Sequence, residues 1–495
     1  MTDSVSPPTA APTRSFRREL RLFDATMLVV GSMIGSGIFI VSADIARTVG
    51  SPGYLLLVWL ITGLVTVTAA LSYGELAGML PHAGGQYVYL REAFNPLTGF
   101  LYGWTLFLVI QTGTIAAVAV AFAKFTAVLI PSAGEDHVLF TIAGLSVSAA
   151  QAVGILSIIL LTALNMRGIR VGRIVQDVFT FAKTAALLGL ILLGLSIARN
   201  PAVISANAAI FWDPARAHLT EGGAFTLEPL SGIALLAAIG VAMVGSLFSS
   251  DAWNNVTFTA GEVVNPRRNI PLSLAIGTGL VTVLYLLANA AYILILPLRG
   301  APEAADVIGR GIQFAAQDRV GTAATTMMFG APAAVIMGLL IMVSTFGCNN
   351  GLILSGARVY YAMAQDGLFF GKAGKLNGKG VPAVALSVQA VWASILCLSG
   401  TYGDLLDYVI FAVLVFYILT VAGLFILRRK RPDAERPYRA FGYPVLPALY
   451  ILTAAAIAVD LLVLKPRYTW PGVIIVLLGI PVYYFWRFTA SSPNK

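Results

Sequence analysis

The sequence predicts an all-α membrane protein of twelve transmembrane helices: two inverted five-helix repeats with broken helices 1 and 6, plus two extra C-terminal helices. Three observations lead to this prediction. The chain is 58% hydrophobic and only 11% charged, whereas soluble proteins carry about 25% charged residues. Apolar runs of roughly 20 residues recur along it, each long enough to cross a ~30 Å hydrocarbon core. Two of these runs, in corresponding positions, are interrupted in the way that inverted-repeat membrane proteins interrupt them.

The twelve runs are continuous rather than alternating, which favours a helical bundle over a barrel. They lie at approximately 23–47, 54–80, 96–130, 150–166, 176–198, 231–260, 271–297, 322–364, 382–400, 404–427, 443–464 and 470–489. The predicted units are a disordered cytoplasmic tail at 1–22, a first repeat at 23–198, a second, inverted repeat at 231–427, and the two extra helices at 443–489. The two repeats share hydropathy and break position, not a letter-by-letter sequence.

The net charge of +9 has a topological explanation. Most Lys and Arg residues fall in the tails and the even-numbered connections, including the cluster at 428–439. By the positive-inside rule, this bias predicts that both termini face the cytoplasm. We expect the protein to lie in the cytoplasmic (inner) membrane. A nucleic-acid partner is therefore not expected, although the chain is basic.

Residue patterns exclude most enzyme classes. Cys348 and Cys397 both fall within predicted spans, so no disulfide framework is expected. His82, His137 and His218 lie at or beyond span ends and form no paired-histidine zinc pattern, and there is no P-loop. We expect no metal and no cofactor. The opening stretch "MTDSVSPPTAAPT" has the composition of a disordered tail rather than of a signal peptide.

The first break is predicted in "GSMIGSGIFI" (31–40), inside the first span. Each glycine costs about 1 kcal/mol relative to alanine within a helix, so the cluster Gly35-Ser36-Gly37 makes unwinding easy. Gly31 and Gly35 also form a GxxxG pattern, which is typical of close helix packing in membranes. The first segment alone does not decide between packing and a functional break.

The second break is predicted at "SSDAWNN" (249–255), in the sixth span. Its serines, acid and asparagines are tolerated at membrane depth only where they line a cavity or the protein interior. Spans 1 and 6 are corresponding members of the two repeats, so the pair indicates a transporter with a midplane site. Broken helices offer unpaired N–H groups at one end and unpaired carbonyls at the other. Such a site suits a zwitterion, and a free L-amino acid is the obvious candidate.

Three stretches resemble one transporter group, the amino acid–polyamine–organocation superfamily, and most closely the bacterial members of its L-type amino acid transporter family. They are "GSMIGSGIF", "YGELAGMLPHAGGQYVYLREAF" (73–94) and "DAWNNVTFTAGEVVNPRRNIP" (251–271). The resemblance extends from Glu19 to about Arg429. It implies alternating access and sodium-independent exchange of neutral L-amino acids. Animal L-type members are disulfide-linked to a partner through a cysteine after span 3; here "PSAGEDH" has none, so no such ancillary subunit is expected.

The same resemblance implies the site residues. Gly35, Ser36 and Gly37, with Ile34, would hold the substrate carboxylate, and main-chain carbonyls at 248–254 would receive the ammonium. The candidate substrate-binding residues are Ile34, Gly35, Ser36, Gly37, Phe248, Ser249, Ser250, Asp251 and Asn254. Phe248 matches an aromatic gate over the occupied site, and Asn254 matches an asparagine that shapes recognition. Ser250 departs from the family pattern, in which an aromatic is frequent, so the pocket size is in question.

Two charged residues, Asp251 and Lys183, fall within predicted spans. Asp251 is a candidate for binding an ammonium or a proton, but aspartate is also a favoured N-cap, and we expect it to cap the half-helix that follows. Lys183, in span 5, would snorkel to the interface if it acted alone. The resemblance instead implies that its ammonium lies against the breaks of spans 1 and 8, where sodium-coupled relatives bind sodium.

The principal alternatives are a cationic amino acid or polyamine permease and a proton-coupled permease. A channel would be expected to show a repeated filter or a charged ring, and an enzyme would need a nucleophile or metal constellation. The sequence has none of these patterns.

Overall fold

Apolar helices dominate the fold. The computed structural model describes residues 16–142, 145–197, 199–219, 225–330, 332–398 and 402–490. Within these ranges, eleven helices are long and apolar enough to cross a membrane. Helix Ala383–Cys397 is also apolar but has only 15 residues, and residues 399–401 lie outside the described ranges. The protein is therefore a multi-pass membrane protein whose spans are all helical, and the count of twelve spans stays a prediction.

We number the spans in chain order. Span 1 comprises the helices Leu22–Met33, Gly37–Ile40 and Ser42–Val49, and span 6 comprises Gly232–Ser249, Asn255–Phe258 and the 3₁₀ turn Ala260–Glu262. Span 3 runs through Pro96–Thr105, the π-helical turn Leu106–Ile110 and Gln111–Leu129. The remaining spans are 2 (Pro52–Met79), 4 (Ala149–Met166), 5 (Ile169–Ser196), 7 (Pro266–Ile295), 8 (Pro332–Gln365), 9 (Ala383–Cys397), 10 (Tyr402–Lys430), 11 (Val445–Leu464) and 12 (Pro466–Ala490).

Shorter elements lie in the connections between spans. The helices are Gln86–Ala93, Pro201–Ala209, Val307–Arg310 and Val320–Phe329, with 3₁₀ turns at Pro131–Ala133, Ala316–Asp318 and Gly371–Gly374. Two antiparallel hairpins pair Val138–Ile142 with Leu145–Ser148 and Ala215–Leu219 with Phe225–Pro229. We call Gln86–Ala93 the connecting helix, because it joins spans 2 and 3.

Some of the span boundaries predicted from the sequence differ from those in the structure. The run predicted at 322–364 contains the end of the separate helix Val320–Phe329 before span 8 begins. Gly330 has a φ of 78° and Pro332 is the first residue of the next helix, a combination that stops one helix and starts another. Span 5 begins at Ile169, before the predicted 176, because arginines and a glutamine interrupt its apolar pattern without interrupting the helix.

The bundle brings corresponding spans of the two halves together. Span 2 packs along span 7, and span 3 packs along span 8. These are the pairings that a two-fold relation between 23–198 and 231–427 would produce, although the repeat boundaries themselves remain a sequence-based prediction. The helix of span 1 before its break packs against spans 5, 7 and 8, so the break in span 1 lies in the protein interior rather than in lipid.

The segment just before span 1 lies against the bundle. The Glu19 and Leu20 amides donate to the Glu262 carbonyl at 2.9 and 3.0 Å, and Leu20 forms a parallel bridge with Val263. This end of the predicted disordered tail is therefore ordered, whereas residues 1–15 lie outside the described part of the chain. Arg358 forms a two-bond ion pair with Glu262 at 2.9 and 3.0 Å, both side chains being 1% exposed. This buried pair joins span 8 to the end of span 6.

Candidate functional site

Span 1 unwinds where its glycine cluster predicted. The first helix ends at Met33, Ile34 has an extended backbone with ψ 94°, and helical structure resumes at Gly37. All residues from Ile34 to Gly37 are buried. The interruption deprives the N–H groups at the start of the new helix of the carbonyl partners that a continuous helix would supply. A partial positive charge therefore faces the interior at this point.

Span 6 unwinds at its polar stretch. Its long helix ends at Ser249, and helical structure resumes only at Asn255. Ala252, between them, has a φ of +65°, a left-handed conformation that non-glycine residues rarely adopt and that often marks a functional site. Among the described residues, no backbone N–H outside the helices donates to the carbonyls of Ser250 or Asp251. The break thus removes the helical hydrogen bonds that these two oxygens would otherwise accept.

The two breaks lie against each other. A Cβ added to Gly37 would lie 2.7 Å from the Ser249 Cβ and 3.1 Å from its Cα, so only glycine permits this approach. The Tyr285 hydroxyl of span 7 lies 3.0 Å from the Met33 carbonyl and 3.1 Å from the Ser249 carbonyl. Tyr285 thus ties together the last residues before both breaks. The sequence analysis missed this tyrosine, whose only signal is one phenol in an apolar run.

Lys183 is buried against the first break. Its Nζ donates to the carbonyls of Gly31 at 2.5 Å, Ile34 at 2.6 Å and Ser344 of span 8 at 3.3 Å, and the residue is 1% exposed. An ammonium group has three N–H donors, one for each of these carbonyls. The side chain points into the bundle and does not snorkel. The Ser344 hydroxyl reinforces the same corner by donating to the Gly35 carbonyl at 3.0 Å.

Asp251 does not cap the half-helix that follows it. That helix begins at Asn255, and its N-cap residue Asn254 makes no side-chain capping bond. The carboxylate turns instead toward span 10, where the Tyr417 hydroxyl donates to Oδ1 at 2.5 Å. The expected capping role is therefore wrong, because three residues separate Asp251 from the helix start.

A narrow cavity, with room for about one water molecule, lies beside the second break. Spans 3, 6, 8 and 10 and the connecting helix surround it, and its polar lining comprises Gln86, Tyr102, Gln111, Thr114, Asp251, Asn254, Asn255 and Tyr417. Of the predicted site residues, only Asp251 and Asn254 line it. Phe248 is buried in the last turn before the break, and the residues of the first break reach the second through Gly37 rather than through this cavity.

Comparison with known proteins agrees with this architecture. A family model described as amino acid permease matches residues 20–484, almost the whole chain. The chain belongs to the amino acid permease family. The resemblance inferred from three short motifs is thereby confirmed over the full length of the bundle.

Similar proteins in this family carry specific names. The chain is 30% identical to the large neutral amino acids transporter small subunit 2 of Homo sapiens, over 97% of this chain and 82% of the relative. It is 28% identical to the b(0,+)-type amino acid transporter 1 of Mus musculus, over 96% of this chain and 89% of the relative. The alignments thus cover almost all of this amino acid permease and more than four fifths of each relative.

Proposed function

We propose that this permease exchanges neutral L-amino acids across the membrane by alternating access and without sodium. The observation that carries the proposal is the contact between two helix breaks at Gly37 and Ser249. This contact supports a site in which helix-start N–H groups and the main-chain carbonyls of the second break act on one ligand. The names of two relatives, a large neutral amino acids transporter and a b(0,+)-type amino acid transporter, support an amino acid as the ligand.

The proposed pose follows from the two breaks. The substrate carboxylate binds the N–H groups at 35–37, beside Ile34, and the ammonium binds the carbonyls of Ser250 and Asp251. Ser249 and Ser250 form the wall between these contacts. Asn254 faces the side chain from the cavity next to the second break. Binding of both charged groups by the main chain would make recognition of the α-amino acid independent of its side chain.

Lys183 supports the absence of sodium coupling. Its ammonium occupies the corner between spans 1, 5 and 8 and donates to carbonyls of two spans. A fixed positive charge there stabilises the unwound carbonyls of span 1 without an ion. We therefore propose that Lys183 replaces a coupling sodium ion, so the sodium gradient does not drive transport.

Asp251 is a carboxylate in the cavity wall, and a free carboxylate there would favour cationic amino acids as substrates. Its Oδ1 already accepts a hydrogen bond from Tyr417, so we propose neutral substrates instead. We expect alanine, serine and leucine to inhibit labelled amino acid uptake more strongly than arginine at equal concentration. Uptake into proteoliposomes measures this, and a strong preference for arginine would establish the cationic alternative.

Phe248 is proposed as the gate that closes over bound substrate, since it lies in the last helical turn before the second break. Phe248→Ala should lower the transport rate more than it weakens substrate binding, because closure rather than contact is lost. Turnover and binding measured on the same purified protein separate these effects. Normal turnover in the variant would show that Phe248 only packs the core.

The remaining proposals concern orientation and partners. We propose that both termini face the cytoplasm, that the protein lies in the cytoplasmic membrane, and that it acts as a transporter rather than as an enzyme. Its two cysteines, Cys348 and Cys397, are buried and free. Since neither is accessible to a partner chain, a disulfide-linked ancillary subunit is not part of this proposal.

A further inference from the structure

Gln86, the first residue of the connecting helix, contacts the second break. It is fully buried and forms three hydrogen bonds: its Nε2 donates to the Phe416 carbonyl at 3.2 Å and to the Thr420 hydroxyl at 3.0 Å, both on span 10. Its Oε1 accepts from the Nδ2 of Asn254 at 2.9 Å. One side chain thus links span 10, the connection between spans 2 and 3, and the unwound part of span 6.

The chemistry of these partners fixes the orientation of both amides. A backbone carbonyl only accepts, so the Phe416 oxygen requires the NH₂ end of Gln86. The Thr420 hydroxyl donates its hydrogen to the same carbonyl at 2.7 Å, so toward Gln86 it also can only accept. The Oε1 of Gln86 must then face Asn254, and Asn254 must donate to it through its NH₂ group. An amide assignment is inferred from such a network, and here it starts from two span 10 oxygens that can only accept from Gln86.

The consequence is a defined polarity for Asn254. Gln86 accepts from one N–H of the Asn254 NH₂ group, which turns the Asn254 Oδ1 away from Gln86 and leaves that oxygen as the acceptor for a ligand beside the cavity that both residues line. We propose that Gln86 is the positioning residue of this site: it holds the Asn254 amide so that an acceptor oxygen is presented to the substrate. The inference rests on the proposed function, in which Asn254 recognises the substrate.

Contacts with spans 8 and 10 hold the connecting helix, and therefore Gln86, in place. The Tyr87 hydroxyl donates to Asp366, just beyond span 8, at 2.6 Å, and Arg431, just beyond span 10, donates to Glu92 at 2.6 Å. Burial acts to raise the pKa of Glu92, but its hydrogen bonds to Arg431 and Arg91 outweigh burial and hold that pKa below its usual range. Both ends of the helix are therefore fixed, so Gln86 cannot easily follow a rotating Asn254.

A double-mutant cycle tests the inference in proteoliposomes. We expect Gln86→Ala and Asn254→Ala each to raise KM by roughly 3- to 10-fold, the effect of one hydrogen bond, with a smaller change in the maximal rate. Because Gln86 acts through Asn254, the double variant should be no worse than Asn254→Ala alone. Thr420→Val, which removes one acceptor from Gln86 and leaves Asn254 intact, should raise KM in the same direction by less.

A matched control is Gln389→Ala. Gln389 is also fully buried and donates to a backbone carbonyl, that of Ile353 at 3.1 Å, but it does not contact Asn254. Its effect should add to that of Asn254→Ala. Additive losses for Gln86 and Asn254, or a normal KM in both Gln86→Ala and Thr420→Val, would overturn the positioning role. A normal KM in Asn254→Ala would instead show that the proposed substrate site is wrong, and the inference would fail with it.

Discussion

Lys183→Ala is expected to reduce exchange by about 100-fold or more. The ammonium donates to three carbonyls on two spans, and each hydrogen bond to a charged group contributes about 1.5–3 kcal/mol. Truncation removes the Lys183 donor from the buried Gly31 carbonyl and leaves the Ile34 carbonyl with only the longer, 3.3 Å bond from the Ser344 hydroxyl. The break should then lose the geometry that positions its N–H groups. Initial rates of labelled amino acid uptake into proteoliposomes measure the loss.

Lys183→Met separates charge from packing, because it keeps the length of the side chain but has no donor. It should fail as severely as Lys183→Ala. The matched control is Lys124→Met in span 3, which removes a half-buried lysine that interacts electrostatically with Asp318 and Glu135; it should transport normally. Size-exclusion profiles and thermal unfolding in detergent identify any variant that does not fold. Ordinary kinetics in a folded Lys183→Met protein would exclude the proposed role.

Gly37→Ala is expected to reduce exchange by roughly 10- to 100-fold. The added Cβ would overlap the Ser249 side chain and press on its backbone Cα, and overpacking of this kind costs about 1–3 kcal/mol. Because the contact lies between the two breaks, relief requires them to separate. The carboxylate and ammonium contacts proposed for the substrate would then no longer match one ligand, so we expect weaker binding as well as slower transport.

Two further variants make this result specific. Gly189→Ala, in span 5, meets nothing within 4 Å, so it should transport normally and be slightly more stable, since alanine favours helix. Ser249→Gly combined with Gly37→Ala removes the facing Cβ and should restore part of the lost activity. If Gly37→Ala alone had normal activity, the close contact between the breaks would have no role in transport.

The sequence predicted both breaks because their signals are local. A glycine cluster and a polar stretch weaken a membrane helix wherever they occur, and the first break lies at 34–36, inside the predicted segment. The role of Asp251 could not be predicted in this way. An aspartate before a helix is typical of a cap. Only the fold shows that its carboxylate accepts a hydrogen bond from Tyr417, 166 positions further along the chain.

The residues that tie the site together were missed for the same reason. Tyr285 and Gln86 act through partners far away in sequence, and neither breaks a pattern: one is a phenol among apolar residues, the other a polar residue in a connection. Gln86 lies within the quoted motif at 73–94, directly after Gly84 and Gly85, which was the one available signal. Long-range hydrogen bonds are set by packing, so they appear only once the helices are assembled.

The central claim is sodium-independent exchange, and counterflow by the purified permease tests it most directly. Labelled alanine or leucine is supplied to proteoliposomes that are either empty or preloaded with the unlabelled amino acid, in sodium or in choline medium. We predict rapid uptake only into preloaded vesicles, at the same rate in both media. Sodium-driven accumulation in empty vesicles, or ion current without amino acid flux, would contradict the claim.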